Sequence, residues 1–133
     1  MSMSSLEKHI YQVLRQANLY FVQEKQFKDL RNGLYRFDFY IPSTNIALEV
    51  QGAQHYEFSK LFHKKRSDFT KAQERDRAKI SYCLAHDIKL YCIPYWEIDN
   101  ICTINDLLQE KFLAHSKFHN DEVWRLQKSK EKH

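Results

Sequence analysis

The sequence predicts an α/β fold in which a mixed central β-sheet is flanked by helices, in the order helix, three strands, helix, strand, helix. Three observations predict it. A capped helical segment opens the chain, two β-rich runs then meet across a four-residue turn, and a long helical segment separates that hairpin from a further apolar strand. Sequential hairpins followed by a crossover helix put antiparallel and parallel pairs in one sheet, with the helices packed against it. The 133 residues are 43% hydrophobic and 29% charged, enough for one core and too apolar for disorder. No repeat or linker divides them. One domain over 1–133 is expected, with a core at about 4–95 and a helical extension at about 103–132.

Each element has a local reason. Ser4-Ser5-Leu6-Glu7 has the form of a capping box, in which the Ser and Glu side chains each take a backbone N–H that the helix start leaves free. Leu6, Ile10, Val13, Leu14 and Ala17 then follow the 3.6-residue period. Residues 20–27 are aromatic and β-branched enough for a strand, 28–33 read as a loop, and 34–41 form the clearest strand. Pro42-Ser43-Thr44-Asn45 is the turn and 46–51 the partner strand. A loop over 52–58 leads to a helical pattern at 59–85, with Asp87 near its exit. Residues 89–93 suit a buried strand ended by Pro94. Thr103 is expected to cap a helix through Ala114, and Asn120 or Asp121 another that runs into the charged tail.

Composition excludes several function classes. Two glycines, Gly33 and Gly52, are too few for a P-loop or a dinucleotide fingerprint, which need clustered glycines so that backbone amides can approach phosphate. Cys83, Cys92 and Cys102 form no C-x-x-C pair, so neither a disulfide framework nor a zinc knuckle is expected. No apolar run approaches the ~20 residues of a membrane span, and the first residues lack the apolar stretch of a secretory leader. A cytoplasmic protein is expected. The net charge of +4 and pI of 8.9 permit a polyanionic partner.

Chemistry concentrates in Arg36-Phe37-Asp38-Phe39-Tyr40-Ile41-Pro42 and Ala47-Leu48-Glu49-Val50-Gln51-Gly52-Ala53-Gln54-His55-Tyr56. If 42–45 form the turn, Ile41 pairs with Ile46, Asp38 lies opposite Glu49, and Arg36 lies opposite Gln51. Side chains alternate along a strand, so these four share one face, and Tyr35, Phe37, Phe39, Leu48 and Val50 take the core face. Opposed like charges destabilise a hairpin, with Cβ atoms roughly 5 Å apart. A hard divalent cation is the economical reason for placing them there. A solvated face neutralised by Arg36, or one protonated carboxyl, is the plainer alternative. His55 follows in a polar loop, where an imidazole suits proton acceptance or the positioning of water. Asp76 and Lys79 are three apart on the long helix, and their plainest reading is an exposed ion pair.

Taken together, these segments resemble the PD-(D/E)XK nuclease superfamily. More narrowly, they are similar to phage homing endonucleases related to the very-short-patch repair endonucleases. The likeness runs from Glu7 to about Ile93, and 88–94 resembles the family strand that follows the helix. It implies a restriction-endonuclease-like core and a catalytic metal, Mg²⁺ or Mn²⁺, on Asp38 and Glu49. It implies active-site roles for His55, for Asp76 as the helix acid, and for Glu7 as the first-helix acid. Gln51 stands where the superfamily often has Lys, and Lys79 is the nearest replacement for that cation. The implied reaction is hydrolysis of a DNA phosphodiester, with the metal activating water, a base orienting it and Lys79 or Arg75 offsetting transition-state charge. The general base stays open between His55 and the replacement cation.

Residues 60–79 carry Lys60, Lys64, Lys65, Arg66, Lys71, Arg75, Arg77 and Lys79 against Asp68, Glu74 and Asp76, a net +5 against +4 for the whole chain. With Arg36, this run is the expected phosphate-tracking edge, giving affinity but no sequence choice. Tyr95, Trp96 and the tail around Trp124 read equally well as base-stacking or packing residues. A single domain makes one cut. Cleavage of both strands needs a homodimer, with 103–132 as the candidate interface, or two successive nicks. The expected function is a Mg²⁺-dependent DNA endonuclease of phage or mobile-element type. A structure-directed nickase or junction resolvase, and an inactive DNA-binding module of the same fold, stand as alternatives.

Overall fold

A computed structural model describes residues 3–52 and 66–114. Helix α1 (Ser5–Gln16) begins on the expected capping box: the Ser4 hydroxyl accepts from the Glu7 N–H, and the Glu7 carboxylate accepts from the Ser4 N–H. The helix ends at Ala17, with Asn18 in the left-handed conformation (φ 56°) that closes many helices. Its Ile10, Val13 and Leu14 are buried on one stripe.

Four strands follow: β1 (Val22–Gln26), β2 (Arg36–Ile41), β3 (Ile46–Gln51) and β4 (Lys89–Pro94), hydrogen-bonded in that spatial order. The first two junctions are antiparallel, and β3 runs parallel to β4. A parallel junction needs a crossover, and α2 (Arg66–Ala85) lies in it. The sheet is therefore mixed, as the element order predicts.

The two faces bury different helices. Ile41, Ile46, Leu48, Tyr91 and Ile93 pack with Ile10, Val13 and Leu14 of α1, whereas Ala47, Leu90 and Cys92 pack with Cys83 of α2. Alternation along β3 and β4 sorts them cleanly. A fully buried Leu, Ile or Phe stabilises by roughly 1.5–3 kcal/mol, so these two clusters hold the sheet between its helices. Asn45 pins the β2–β3 turn to the far end of α2. It adopts φ 55°, its Nδ2 donates to the Asp87 carbonyl at 2.9 Å, and its carbonyl accepts from the Lys89 N–H at 3.0 Å.

Several expectations need correction. The helix expected from Thr103 to Ala114 is short: α3 (Ile104–Leu107) gives way to a 3-10 turn at Glu110–Phe112. Leu113 then bridges Tyr91, and the Ala114 N–H donates to the Leu90 carbonyl, so this stretch covers the outer edge of β4. β1 and β2 start later than expected, at Val22 and Arg36. Phe37 does not share a face with Phe39. It packs in the α2-side cluster while Phe39 lies in the α1-side cluster, so side-chain alternation breaks at Asp38. Cys83 and Cys92 are buried and Cys102 is exposed, all three as free thiols. Most of the loop expected over 52–58, the start of the helix expected at Ser59 and the helix expected after Asn120 lie outside the described residues.

Candidate active site

The sheet opens at Asp38. On one side the β1–β2 ladder pairs Gln23 with Phe39 and Lys25 with Phe37, and skips the intervening Glu24 and Asp38. Glu24 takes a left-handed φ of 53°, which costs a residue with a Cβ about 1–3 kcal/mol. On the other side the β2–β3 ladder has the predicted register, Ile41 with Ile46 and Phe39 with Leu48, and Phe39–Leu48 is its last pair. Beyond it the Asp38 side chain replaces the missing rung: its Oδ2 accepts from the Val50 N–H at 2.8 Å. A carboxylate thus sits inside the sheet where a carbonyl would otherwise lie.

Asp38 meets acids from three elements. Its carboxyl interacts electrostatically with that of Glu49 on β3, and its ligand oxygen lies within 4.8 Å of those of Glu7 on α1 and Glu24 on β1. Burial first, and then the charge of Glu49, push the Asp38 pKa well above the usual carboxylate range, against the pull of the Val50 N–H; Glu7 adds to the rise. Glu49 is also raised by burial, which outweighs the pull of Lys79. The pair cannot carry two negative charges unaided.

Lys79 comes from the opposite layer. It lies on α2, is only 9% exposed, and its Nζ donates to Glu49 Oε1 while sitting 5.4 Å above the Phe37 ring. Burial alone would lower its pKa, but Glu49, Asp38 and Asp76 together hold it above the ordinary lysine value. It is a fixed cation at neutral pH. Asp76, three residues earlier, is equally buried at 9% and acts on both Glu49 and Lys79. The exposed ion pair expected for Asp76 and Lys79 is therefore replaced by a buried group facing the sheet. Gln51, at the end of β3 beside Pro94 of β4, is 3% exposed.

An open groove of about 570 Å³ adjoins these groups, lined by Leu34, Tyr35, Arg36, Lys71, Glu74, Arg75 and Lys79. Three of the expected phosphate-contacting residues, Arg36, Lys71 and Arg75, line it. Arg77 is exposed on α2 and lies apart from the groove lining. Arg36 also lies 3.9 Å from the Glu24 carboxylate. His55, Lys64, Lys65 and the Arg66 side chain lie outside the described residues. Tyr95 and Trp96 are half-buried and pack edge to face against each other at 5.4 Å.

Six expected site residues, Glu7, Asp38, Glu49, Gln51, Asp76 and Lys79, thus fall on α1, β2, β3 and α2. Glu7, Asp38, Glu49, Asp76 and Lys79 join the one electrostatic group described above. Sequence reasoning missed Glu24 and the apolar groove residues Leu34 and Tyr35. Working the β1–β2 register would have placed Glu24 opposite Asp38, but its left-handed backbone leaves no mark in the sequence.

No protein-family profile matches the chain. It is 46% identical over 59 residues to the uncharacterized protein 094L of Frog virus 3 (isolate Goorha), covering 44% of this chain and 38% of that one. It is 36% identical over 67 residues to the uncharacterized protein 307L of Invertebrate iridescent virus 6, covering 49% of this chain and 34% of that one. The matched segments span little more than a third of either relative.

Proposed function

We propose that this protein is a metal-dependent DNA endonuclease with a restriction-endonuclease-like core of the PD-(D/E)XK type. The observation that carries the reading is the Asp38–Glu49 pair, two interacting carboxyls where the sheet opens, with the Lys79 ammonium on one of them. The helix–strand order and the mixed sheet agree with that core. Both relatives are viral proteins, which supports a viral setting for the proposed enzyme.

The residues fit a hard divalent cation. Asp38 and Glu49 offer carboxylate oxygens, Glu7 and Glu24 add two more nearby, and no thiol or imidazole joins them among the described residues. Mg²⁺ and Mn²⁺ suit that donor set. Such an ion would polarise the phosphoryl oxygen and make bound water acidic. The chain's own part is to hold the phosphate and balance charge. Arg36, Lys71 and Arg75 line the groove through which the strand reaches the acids, and Lys79 stands at its inner end to offset charge that gathers on the phosphorus oxygens. Lys79 supplies the cation that Gln51 lacks. His55 is the proposed proton acceptor.

Supercoiled plasmid tests the reading. Nicked or linear product that requires Mg²⁺ and disappears with EDTA is expected. Absence of cleavage with salt-sensitive binding retained would overturn the enzyme and leave the inactive binding module. Nicked product alone would favour the nickase or resolvase.

Metal binding has a second readout in stability. A carboxyl whose pKa is raised by folding contributes stability that is full below the ordinary carboxylate range and is lost as pH rises through the raised value. The metal-free protein is therefore expected to lose thermal stability between mildly acidic and neutral pH on account of Asp38. Mg²⁺ is expected to restore it, so the gain in Tm on adding Mg²⁺ grows with pH. A Tm indifferent to Mg²⁺ at neutral pH would remove the metal from Asp38 and Glu49.

A further inference from the structure

We propose, resting on the nuclease reading above, that Leu34 is an apolar wedge that enters duplex DNA beside the groove and opens one base step, while Arg36, Lys71 and Arg75 hold the adjoining phosphates. Among the described residues the large apolar side chains most open to solvent are Tyr20, Leu34 and Leu84, and of these Leu34 alone lines the groove. Its exposure is 69%. An isolated exposed leucine needs no explanation by itself. This one stands on a built support, in a groove whose charged lining is four cations to one acid.

The support is a tight turn in costly backbone geometry. Arg31, Asn32 and Gly33 are consecutively left-handed, with φ of 48°, 55° and 78°. Gly33 has open space where a Cβ would go, so its φ and not crowding calls for glycine. Arg31 has no such freedom and costs about 1–3 kcal/mol in that region, whereas Asn32 is a residue that tolerates it. Buried Leu30 anchors the turn from below. The Gly33 N–H donates to the Leu30 carbonyl and the Leu34 N–H to the Arg31 carbonyl, both at 3.0 Å, while Gln26 Nε2 on β1 donates to the Gly33 carbonyl at 2.6 Å. These bonds fix the backbone that carries Leu34.

Charge selects the occupant. Arg36 follows Leu34 by two residues, and Lys71 and Arg75 face it from α2 across the groove, with Glu74 the one acid in the lining. Phosphate contacts position a duplex without reading it. Apolar wedges placed beside them unstack a base step and bend the duplex onto more protein surface. Lys79 belongs both to the groove and to the Glu49 pair, so a strand lying there leads to the carboxylates.

The test uses the Asp38→Asn protein, expected to bind without cutting, and a pool of random-sequence DNA duplexes carrying 2-aminopurine, whose emission rises on unstacking. Emission is expected to rise on binding. Adding Leu34→Ala is expected to remove most of that rise and weaken binding about tenfold, and Leu34→Phe to restore both. Leu34 is exposed, so neither change threatens folding, and an unaltered Tm checks this. Binding without an emission change, or with a rise that survives Leu34→Ala, overturns the wedge and leaves the nuclease reading standing. A rise seen only with duplex RNA overturns the choice of DNA. Failure to bind any duplex removes the wedge and the nuclease reading together.

Discussion

Under the proposed nuclease reading, replacement of Asp38 by Asn is expected to abolish phosphodiester cleavage while duplex binding survives and the metal-free protein becomes more stable. Asn keeps the shape of the side chain, and its Oδ1 can still accept from the Val50 N–H, so the rung that Asp38 supplies between β2 and β3 is retained. What is lost is the negative charge that would hold the metal. Loss of a metal that polarises the phosphoryl oxygen is worth several kcal/mol, which is on the order of a thousandfold in rate or more. The stability gain has the same origin. Asp38 is buried against Glu49, with Glu7 and Glu24 close by, and ionising it in that company is unfavourable without a cation. An uncharged amide relieves the repulsion, as expected where a site trades stability for function. Plasmid cleavage and thermal melts in EDTA check the two halves. A fully active Asp38→Asn enzyme would sink the metal assignment. A less stable one would show that the carboxylate serves chiefly to hold the sheet together.

The second large effect is expected at Lys79. Its side chain and that of Glu49 are 11% and 12% exposed, so the pair is close to fully desolvated. Removing one partner of such a pair strands the other charge, at a cost of about 3–5 kcal/mol. That is a large fraction of the stability of an ordinary domain. Lys79→Ala should therefore lower the urea midpoint severely, and the double variant Lys79→Met with Glu49→Gln should recover most of the loss. The single variant Lys79→Met keeps the stem against Phe37 and isolates the charge. Its cleavage rate is expected to fall about 10²–10³-fold. Mg²⁺ affinity should hold or increase, because a cation beside the proposed ligand Glu49 has gone. An unchanged rate would make Lys79 a structural counter-ion only.

Much of this was legible in the residues because the signals are local. The capping box at Ser4 and Glu7, the four-residue turn ending at Asn45, and the hairpin register that follows from it all depend on neighbours within a few positions. So does the mixed sheet, since a helix between β3 and β4 leaves little choice but a parallel crossover. The opposition of Asp38 and Glu49 followed from that register, and it singled out the pair before any tertiary contact was known.

The tertiary structure decided what faces what. The 3.6-residue period puts Asp76 and Lys79 on one side of α2, but only the packing of α2 on the sheet determines that this side is buried and meets Glu49. Alternation predicted that Phe37 and Phe39 share a face. The sheet instead opens at Asp38, where ladders on both sides lapse and Phe37 turns to the α2 layer. Glu24 joins the acids through a left-handed backbone that its side chain does not favour, and Leu34 reaches the groove on a turn built the same way. Sequence patterns record the preferences of single residues and near neighbours. Burial, like-charge crowding and backbone strain are set by elements far apart in the chain, and those are what turn two carboxylates on a hairpin into a site.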